Sequence, residues 1–393
     1  MTPSRRRLLP YSSVLVAALA FARPAAALDL GDPESAPALE VHAFVSQGYA
    51  KSTDNDYLLH SSKGSFEMSE AGLNFTSQLT ERFRVGIQLF AYDLGTLGNY
   101  AARADWFYLD YRLKDWLGVR AGRTKLPFGL YSDVSDIDAA RTPILLPQSI
   151  YPQTNRYFLL GVTGGSVYGY VNLGRAGALD YRAVGGAIPV NPAQIGAPPE
   201  LSSIDIPYMA AGRFMWETPV SGLRLGVSLL VLKLNETGVL STTPGPTNVS
   251  LNDVVYSAIG SVEYAWHDLL IAAEYGQARS VLHDDQPALF PQGATVDAGG
   301  YGLVAYRLTK WLQPSVYYSF FAANRNLGDQ AANMTTNDEN IQDDVAGTLR
   351  FDVNNFWIVK VEGHYMHGTA ALGAVPTAAP NWGLFLIKTT AYF

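Results

Sequence analysis

Apolar and polar residues change places at every step, over one stretch of this chain after another. Val85, Ile87 and Leu89 alternate with Arg84, Gln88 and Phe90; Phe107, Leu109, Tyr111 and Leu113 alternate with Trp106, Tyr108, Asp110 and Arg112. Leu223, Leu225, Val227 and Leu229 do the same against Arg224, Gly226 and Ser228, and Trp357, Val359, Val361 and Tyr365 against Lys360, Glu362 and His364. A period of two puts one face of a strand in an apolar medium and the other in a polar one; a helix needs a period near 3.6. Each stretch is long enough to cross a bilayer when tilted. Beyond the N-terminal segment, nothing is continuously apolar over a helical span.

The connections between these stretches alternate in length. Tight ones fall near Thr80-Glu81, Lys114-Asp115, Thr218 to Ser221, Trp266-His267, Thr309-Lys310 and Val353-Asn354. Between them come long polar stretches: Lys51 to Ser65, Leu126 to Asn155, Ile188 to Asp205, Asn235 to Ser250, Ser280 to Val296, Asn324 to Asn340 and Gly368 to Pro380. Short turns at one end and long loops at the other predict an all-β fold, a transmembrane antiparallel β-barrel of about sixteen strands. Soluble sandwiches and propellers also have short strands, but nothing in them requires the loop lengths to alternate.

Composition agrees. The chain is 48% hydrophobic, with 23 Tyr, 17 Phe and 7 Trp, which a barrel spreads over an outer belt. There is no Cys, which excludes thiolate metal sites and Cys nucleophiles. The formal charge of −7 and the absence of a basic stripe argue against a nucleic-acid partner. Arg5, Arg6 and Arg7, the apolar run from Val14 to Ala22 and then Ala25-Ala26-Ala27 read as a secretory signal peptide over residues 1–27. A short leader over 28–38 follows, and the barrel takes 39–393. So short a leader leaves no plug domain. The final segment, Asn381 to Phe393, is itself a strand: Lys388 and Thr390 share the face opposite Phe385 and Ile387.

The Leu126–Asn155 stretch is unlike the other loops. It holds Pro127, Pro143, Pro147 and Pro152, the charged residues Asp133, Asp136, Asp138 and Arg141, and the apolar group Ile144, Leu145, Leu146, Ile150 and Tyr151. Long loops without regular structure are functional or disordered, and these apolar residues need a surface to pack on. The expectation is a third loop folded into the barrel, with acidic groups facing basic ones. Parity sends Arg84, Arg112, Arg120, Arg182, Arg213, Arg224, Arg307, Arg350 and Lys360 inward, with Glu70, Asp110, Glu217, Glu263, Glu274, Asp344 and Glu362, because charge on a lipid face is costly. Arg123 has lipid parity and requires a rim position or a bulge. His364 and His367 have opposite parity, so they cannot share a metal. No Ser or Asp is tied by spacing to a His, so no enzyme, metal or cofactor is expected.

The junction VRAGRTKLPFGLY, Val119 to Tyr131, resembles the G-x-x-K-x-P-F-G-L junction of the phosphate-selective porin O/P-like group of Gram-negative outer membranes; Gly122, Lys125, Pro127, Phe128 and Gly129 match. Val41 to Ala50 is similar to the first strand of such porins, and outer-membrane barrels also commonly end in Phe, as here at Phe393. The resemblance implies a constricting third loop and a homotrimer. Phosphate selection does not transfer, since it would need a dense cationic row and this chain has 28 basic against 35 acidic residues. The expected role is passive diffusion of small hydrophilic solutes or ions across the outer membrane, among lipid and lipopolysaccharide. Arg120, Lys125 and Arg141 would form the basic side of the constriction and Asp133, Asp136 and Asp138 the acidic side. The alternative is a non-conducting barrel that binds a partner or surface through its outer loops.

Overall fold

The computed structural model describes residues 38–156, 160–190, 201–241, 245–284, 293–323, 337–372 and 377–393. The expected signal peptide and nearly all of the expected leader lie outside them, as does most of the Asn324–Asn340 stretch. Sixteen strands follow in chain order: β1 Leu39–Ser52, β2 Met68–Gln78, β3 Phe83–Leu94, β4 Arg103–Lys114, β5 Leu117–Lys125, β6 Gly161–Asn172, β7 Ala178–Ile188, β8 Leu201–Glu217, β9 Leu223–Ser241, β10 Pro246–Trp266, β11 Leu269–Asp284, β12 Gly293–Tyr306, β13 Leu312–Ala322, β14 Ile341–Asn354, β15 Trp357–Gly368 and β16 Asn381–Tyr392. Each pairs antiparallel with its neighbours in sequence, and β1 pairs with β16, closing the barrel. The seam has no frayed edge: Phe44 lies opposite Tyr392, and Ala43 and Phe393 exchange backbone hydrogen bonds at 3.1 and 3.0 Å. Closure pairs the first strand with the last and so removes the exposed edges of an open sheet.

The predicted alternation of side-chain direction holds. On β16, Trp382, Leu384, Leu386, Lys388 and Thr390 are buried inward, while Phe385 and Ile387 are exposed outside. The outer face carries two aromatic bands. Trp116, Trp216, Trp266, Trp311, Phe356, Trp357 and Phe393 ring the short-turn end; Tyr208, Tyr256, Tyr275, Tyr318 and Tyr365 form the other band. Between them stand Val227, Leu229, Val262, Val304, Val316 and Leu349, all exposed. Roughly eight residues separate the bands, about 20 Å for tilted strands, close to the apolar height of a membrane barrel.

Some boundaries differ from the sequence reading. The Asn235–Ser250 stretch is mostly strand, not loop: β9 continues to Ser241 and β10 starts at Pro246, with Asn235 opposite Asn252. These strands outrun the bilayer, so their polar composition reflects water on both faces rather than a loop. For the same reason β11 and β12 extend into the Ser280–Val296 stretch. The β6–β7 turn over 173–177 and the β3–β4 connection over 95–102 carried too little contrast to be singled out.

Inside the barrel the core is unusual, because it is built around one connection. Leu126, Phe128, Leu146, Ile150 and Tyr151 pack against Ile188, Met209, Ile259, Leu303 and Tyr317 on the walls. Ile144 and Leu145 pack in a second cluster with Met366, Trp382, Leu384 and Leu386.

Candidate functional site

The junction into this connection is dictated by geometry. Gly122 has φ +129°, and an added Cβ would come 2.3 Å from the Phe107 carbonyl oxygen. That turn leaves Arg123 near the end of β5, buried, with Nε donating to the Asp105 carbonyl at 2.8 Å. Gly129 has φ +71°, and a Cβ there would sit 2.5 Å from the Tyr151 hydroxyl. Both positions exclude ordinary side chains. Lys125 donates to Asp136 at 2.6 Å and to the Asp133 carbonyl at 2.8 Å, closing the first bend. Short 3-10 turns at Ser132–Val134, Asp138–Ala140 and Gln153–Asn155 shape the rest.

From there the segment is bonded to side chains around the ring. Asp133 accepts from Arg182 on β7 at 2.9 Å and from Arg213 on β8 at 2.7 Å. Asp136 also accepts from Gln88 on β3 at 2.8 Å. Asp138 takes Lys360 on β15 at 3.0 Å and Thr390 on β16 at 2.8 Å, with Lys388 at 3.6 Å and Arg141 at 3.8 Å. Lys360 also donates to the carbonyls of Asp138 and Arg141, at 2.7 and 2.8 Å. Glu362 on β15 receives the backbone N–H groups of Ile144 and Leu145, at 2.6 and 2.8 Å. Glu274 on β11 accepts from the Leu130 N–H at 2.9 Å and from the Tyr151 hydroxyl. Ser149 donates to the Gly300 carbonyl on β12 at 3.1 Å.

Burial alone would raise the carboxyls of the segment, but the cations around them outweigh it. Asp133 is held down to about 2, chiefly by Arg213 and then Arg182. Asp138 is driven further below the ordinary range by Lys360, Lys388 and Arg141.

The six residues singled out from sequence therefore separate into two kinds. Arg120, Lys125 and Asp133 border a cavity of about 350 Å³ toward the short-turn end. Arg120 is stacked there between Tyr168 and Tyr108, at 4.4 and 5.1 Å, and pairs with Asp110 at 2.6 Å. Asp136 and Asp138 are 1% exposed and Arg141 5%; they bond the segment to itself and to the wall. Acidic and basic groups touch, where opposition across a gap was expected. Each inward cation named from parity has a carboxylate partner, from the loose Arg84–Glu40 contact at 3.9 Å to Arg307–Asp352 at 3.0 Å. Sequence reasoning placed Glu362 and Glu274 on the inner face without giving them a part in the site, and set Lys388 only on the face opposite Phe385 and Ile387. Their strand parity was the available signal; which loop atom each would meet was not encoded in any local pattern.

Space remains on both sides of the segment. A cavity of about 590 Å³ opens toward the long connections, lined by Phe128, Gln148, Ile150, Ser257 and Gln342 among others. A smaller one of about 100 Å³ lies on the other side, against Arg182, Arg224, Arg307 and Arg350. Among the described residues no group of three or more His, Asp or Glu is arranged to hold a metal. His364 lies between Asp344 and Glu362, 3.0 Å from each, while His367 contacts Asn381 at 2.9 Å.

No protein-family model matches this sequence, and no curated protein matches it. Solved structures do. The chain is similar to the outer-membrane expressed OmpT of Vibrio cholerae, with 11% identity, a TM-score of 0.61 and coverage of 93% of this chain and 100% of that one. It is also similar to the outer membrane channel DcaP of Acinetobacter baumannii (11% identity, TM-score 0.56, coverage 93% and 100%). The anion-selective porin from Comamonas acidovorans is a third, at 10% identity, TM-score 0.53 and coverage 91% and 100%. At such identities the likeness is one of fold: a closed sixteen-stranded antiparallel barrel of the outer-membrane kind.

Proposed function

We propose that this protein is a passive diffusion channel of the Gram-negative outer membrane, exported by its signal peptide, in which the 126–155 segment is the constriction. The observation that carries the reading is the interior: a charged, ion-paired wall with cavities on both sides of one crossing segment. Arg120, Lys125 and Asp133, which border the cavity of about 350 Å³, set ion preference; Asp136, Asp138 and Arg141, the last of which also touches the cavity of about 100 Å³, hold the segment in place. Small hydrophilic solutes or ions are the cargo, and lipid with lipopolysaccharide the surroundings. A homotrimer is the proposed assembly, supported by a similar barrel described as an OmpT trimer form (12% identity, TM-score 0.58). Phosphate selectivity is not part of the proposal, because the inner cations lie in contact with carboxylates, several of them shared.

Planar-bilayer recording of the refolded protein tests this. The expected result is small ohmic steps in groups of three. A silent bilayer would favour a partner-binding barrel instead, a reading helped by one feature: β10 runs 21 residues, and the stretch before Tyr256 stands beyond the outer aromatic band as a mostly half-buried wall.

A further inference from the structure

We propose that the chamber on the long-connection side of the segment is a binding site for a small uncharged solute with an apolar face and several hydroxyl groups, such as an aryl glycoside. This deepens the channel reading and rests on it only for the solute's route. At about 590 Å³ the chamber falls within the range of small-molecule sites, about 300–1,000 Å³. Its apolar surface comes from Phe128 and Ile150 of the segment and from Ile259, Phe321 and Met366 of the walls. Polar groups are interspersed: Gln148, Ser257 and Gln342.

Charge decides the class of solute. No Lys or Arg is among the described residues that border this chamber. The chambers on the other side are bordered by Arg120, Lys125, Arg182, Arg224, Arg307 and Arg350. The bordering carboxylates are Asp297 and Asp344, and Asp344 is already held by His364 and Tyr317, each at 3.0 Å. Among the described residues an anion arriving from this end would give up water and meet no counter-charge, which is unfavourable. A hydroxyl loses less water and can exchange its hydrogen bonds for those of amides. One acceptor is available for it: Gln342 is 7% exposed, its Nε2 donates to the His367 carbonyl at 3.3 Å, and its Oε1 meets no donor among the described residues. Buried amide oxygens are rarely left so; this one is closed off as it stands, and a turn of the Gln342 amide would present it to a ligand hydroxyl.

Titration calorimetry on the folded full chain in zwitterionic micelles tests the site without requiring conduction. The probes are phenyl glucoside, inorganic phosphate and phenyltrimethylammonium. Saturable heat is expected for the glucoside alone. Ser257→Trp fills the chamber from β10 and should weaken that binding at least tenfold; Ala278→Trp, entering from β11, is the second filling variant should the first not fold. Gln342→Leu should weaken it several-fold, and Lys310→Gln, at the far end, should leave it unchanged. Tighter binding of phosphate or of the cation overturns the assignment. So does glucoside binding indifferent to both tryptophans, or its absence from a protein that still conducts. Glucoside binding by a protein that is silent in bilayers supports the site and overturns the channel reading instead.

Discussion

The 126–155 segment is tied to the barrel at two places with the same design and different surroundings. At one, Arg182 and Arg213 stand directly opposite each other on β7 and β8, and Asp133 reaches both. At the other, Lys360 and Lys388 stand directly opposite on β15 and β16, and Asp138 reaches both. Like charges in direct cross-strand register are unfavourable. Wall carboxylates relieve part of this, since Glu70 takes Lys388 at 2.7 Å and Asp180 stands 3.7 Å from Arg182; the segment supplies the rest, which couples docking to wall stability. The surroundings set the strength. The Asp133 anchor is damp, with the Arg182 side chain 26% exposed and Asp133 13%. The Asp138 anchor is dry: the Lys360 side chain is 0% exposed, Lys388 3% and Arg141 3%.

That contrast is best broken at the dry end first. Asp138→Ala leaves Lys360 buried without its carboxylate beside Lys388, which keeps Glu70 at 2.7 Å, a loss of about 3–5 kcal/mol. The segment should release from β14–β16, become cleavable by protease between residues 126 and 155, and raise the unit conductance several-fold. An unchanged protection pattern would mean that the apolar packing of Ile144 and Leu145, not Asp138, holds this half. Asp133→Asn should cost less, about 1–3 kcal/mol, because Arg182 can turn to water although Arg213 cannot. Its clearer signature is a reversal potential displaced toward anions, since the lumen gains one positive charge at a group bordering open space.

Acid sharpens the same comparison. The Asp133 carboxyl is depressed in the folded chain, to about 2. Its contribution is therefore complete above the free carboxylate value near about 3.9 and lost as pH falls through about 2. Asp138 is held further down, so its anchor outlasts the other. Between about pH 4 and pH 2 proteolysis should begin in the Asp133 half. Simultaneous opening of both halves would show that the segment undocks as one unit, and the damp–dry distinction would fall.

How far the sequence reaches is clear from these residues. Strand parity placed Arg182, Arg213 and Lys360 on the inner face, because a period of two is a local property of the chain. The G-x-x-K-x-P-F-G junction was visible as a motif, and its glycines prove to be backbone requirements. The pairing of Asp133 with Arg213 joins positions eighty residues apart across a closed barrel. It follows from register and from the path of a loop, neither of which leaves a periodic trace. Opposition across a water gap was the natural guess for mixed charges. Contact prevails because the buried apolar residues of the segment draw it against the wall, and dry carboxylates then need partners within hydrogen-bonding reach. The polar ends of β9 and β10 misled for the converse reason: beyond the membrane a strand needs no apolar face.

The smallest effect belongs to a wet pair. Arg84 and Glu40 stand 3.9 Å apart near the short-turn end, with side chains 43% and 55% exposed. Neither bonds the segment, and both are screened by water and salt. Arg84→Gln should leave thermal stability within about 0.5 kcal/mol of the parent and protease protection of the segment unchanged. A marked loss would mean that charge along the inner wall acts collectively over distances longer than contact. The hierarchy of anchors would then be set by the field of the whole barrel rather than by how dry each pair is.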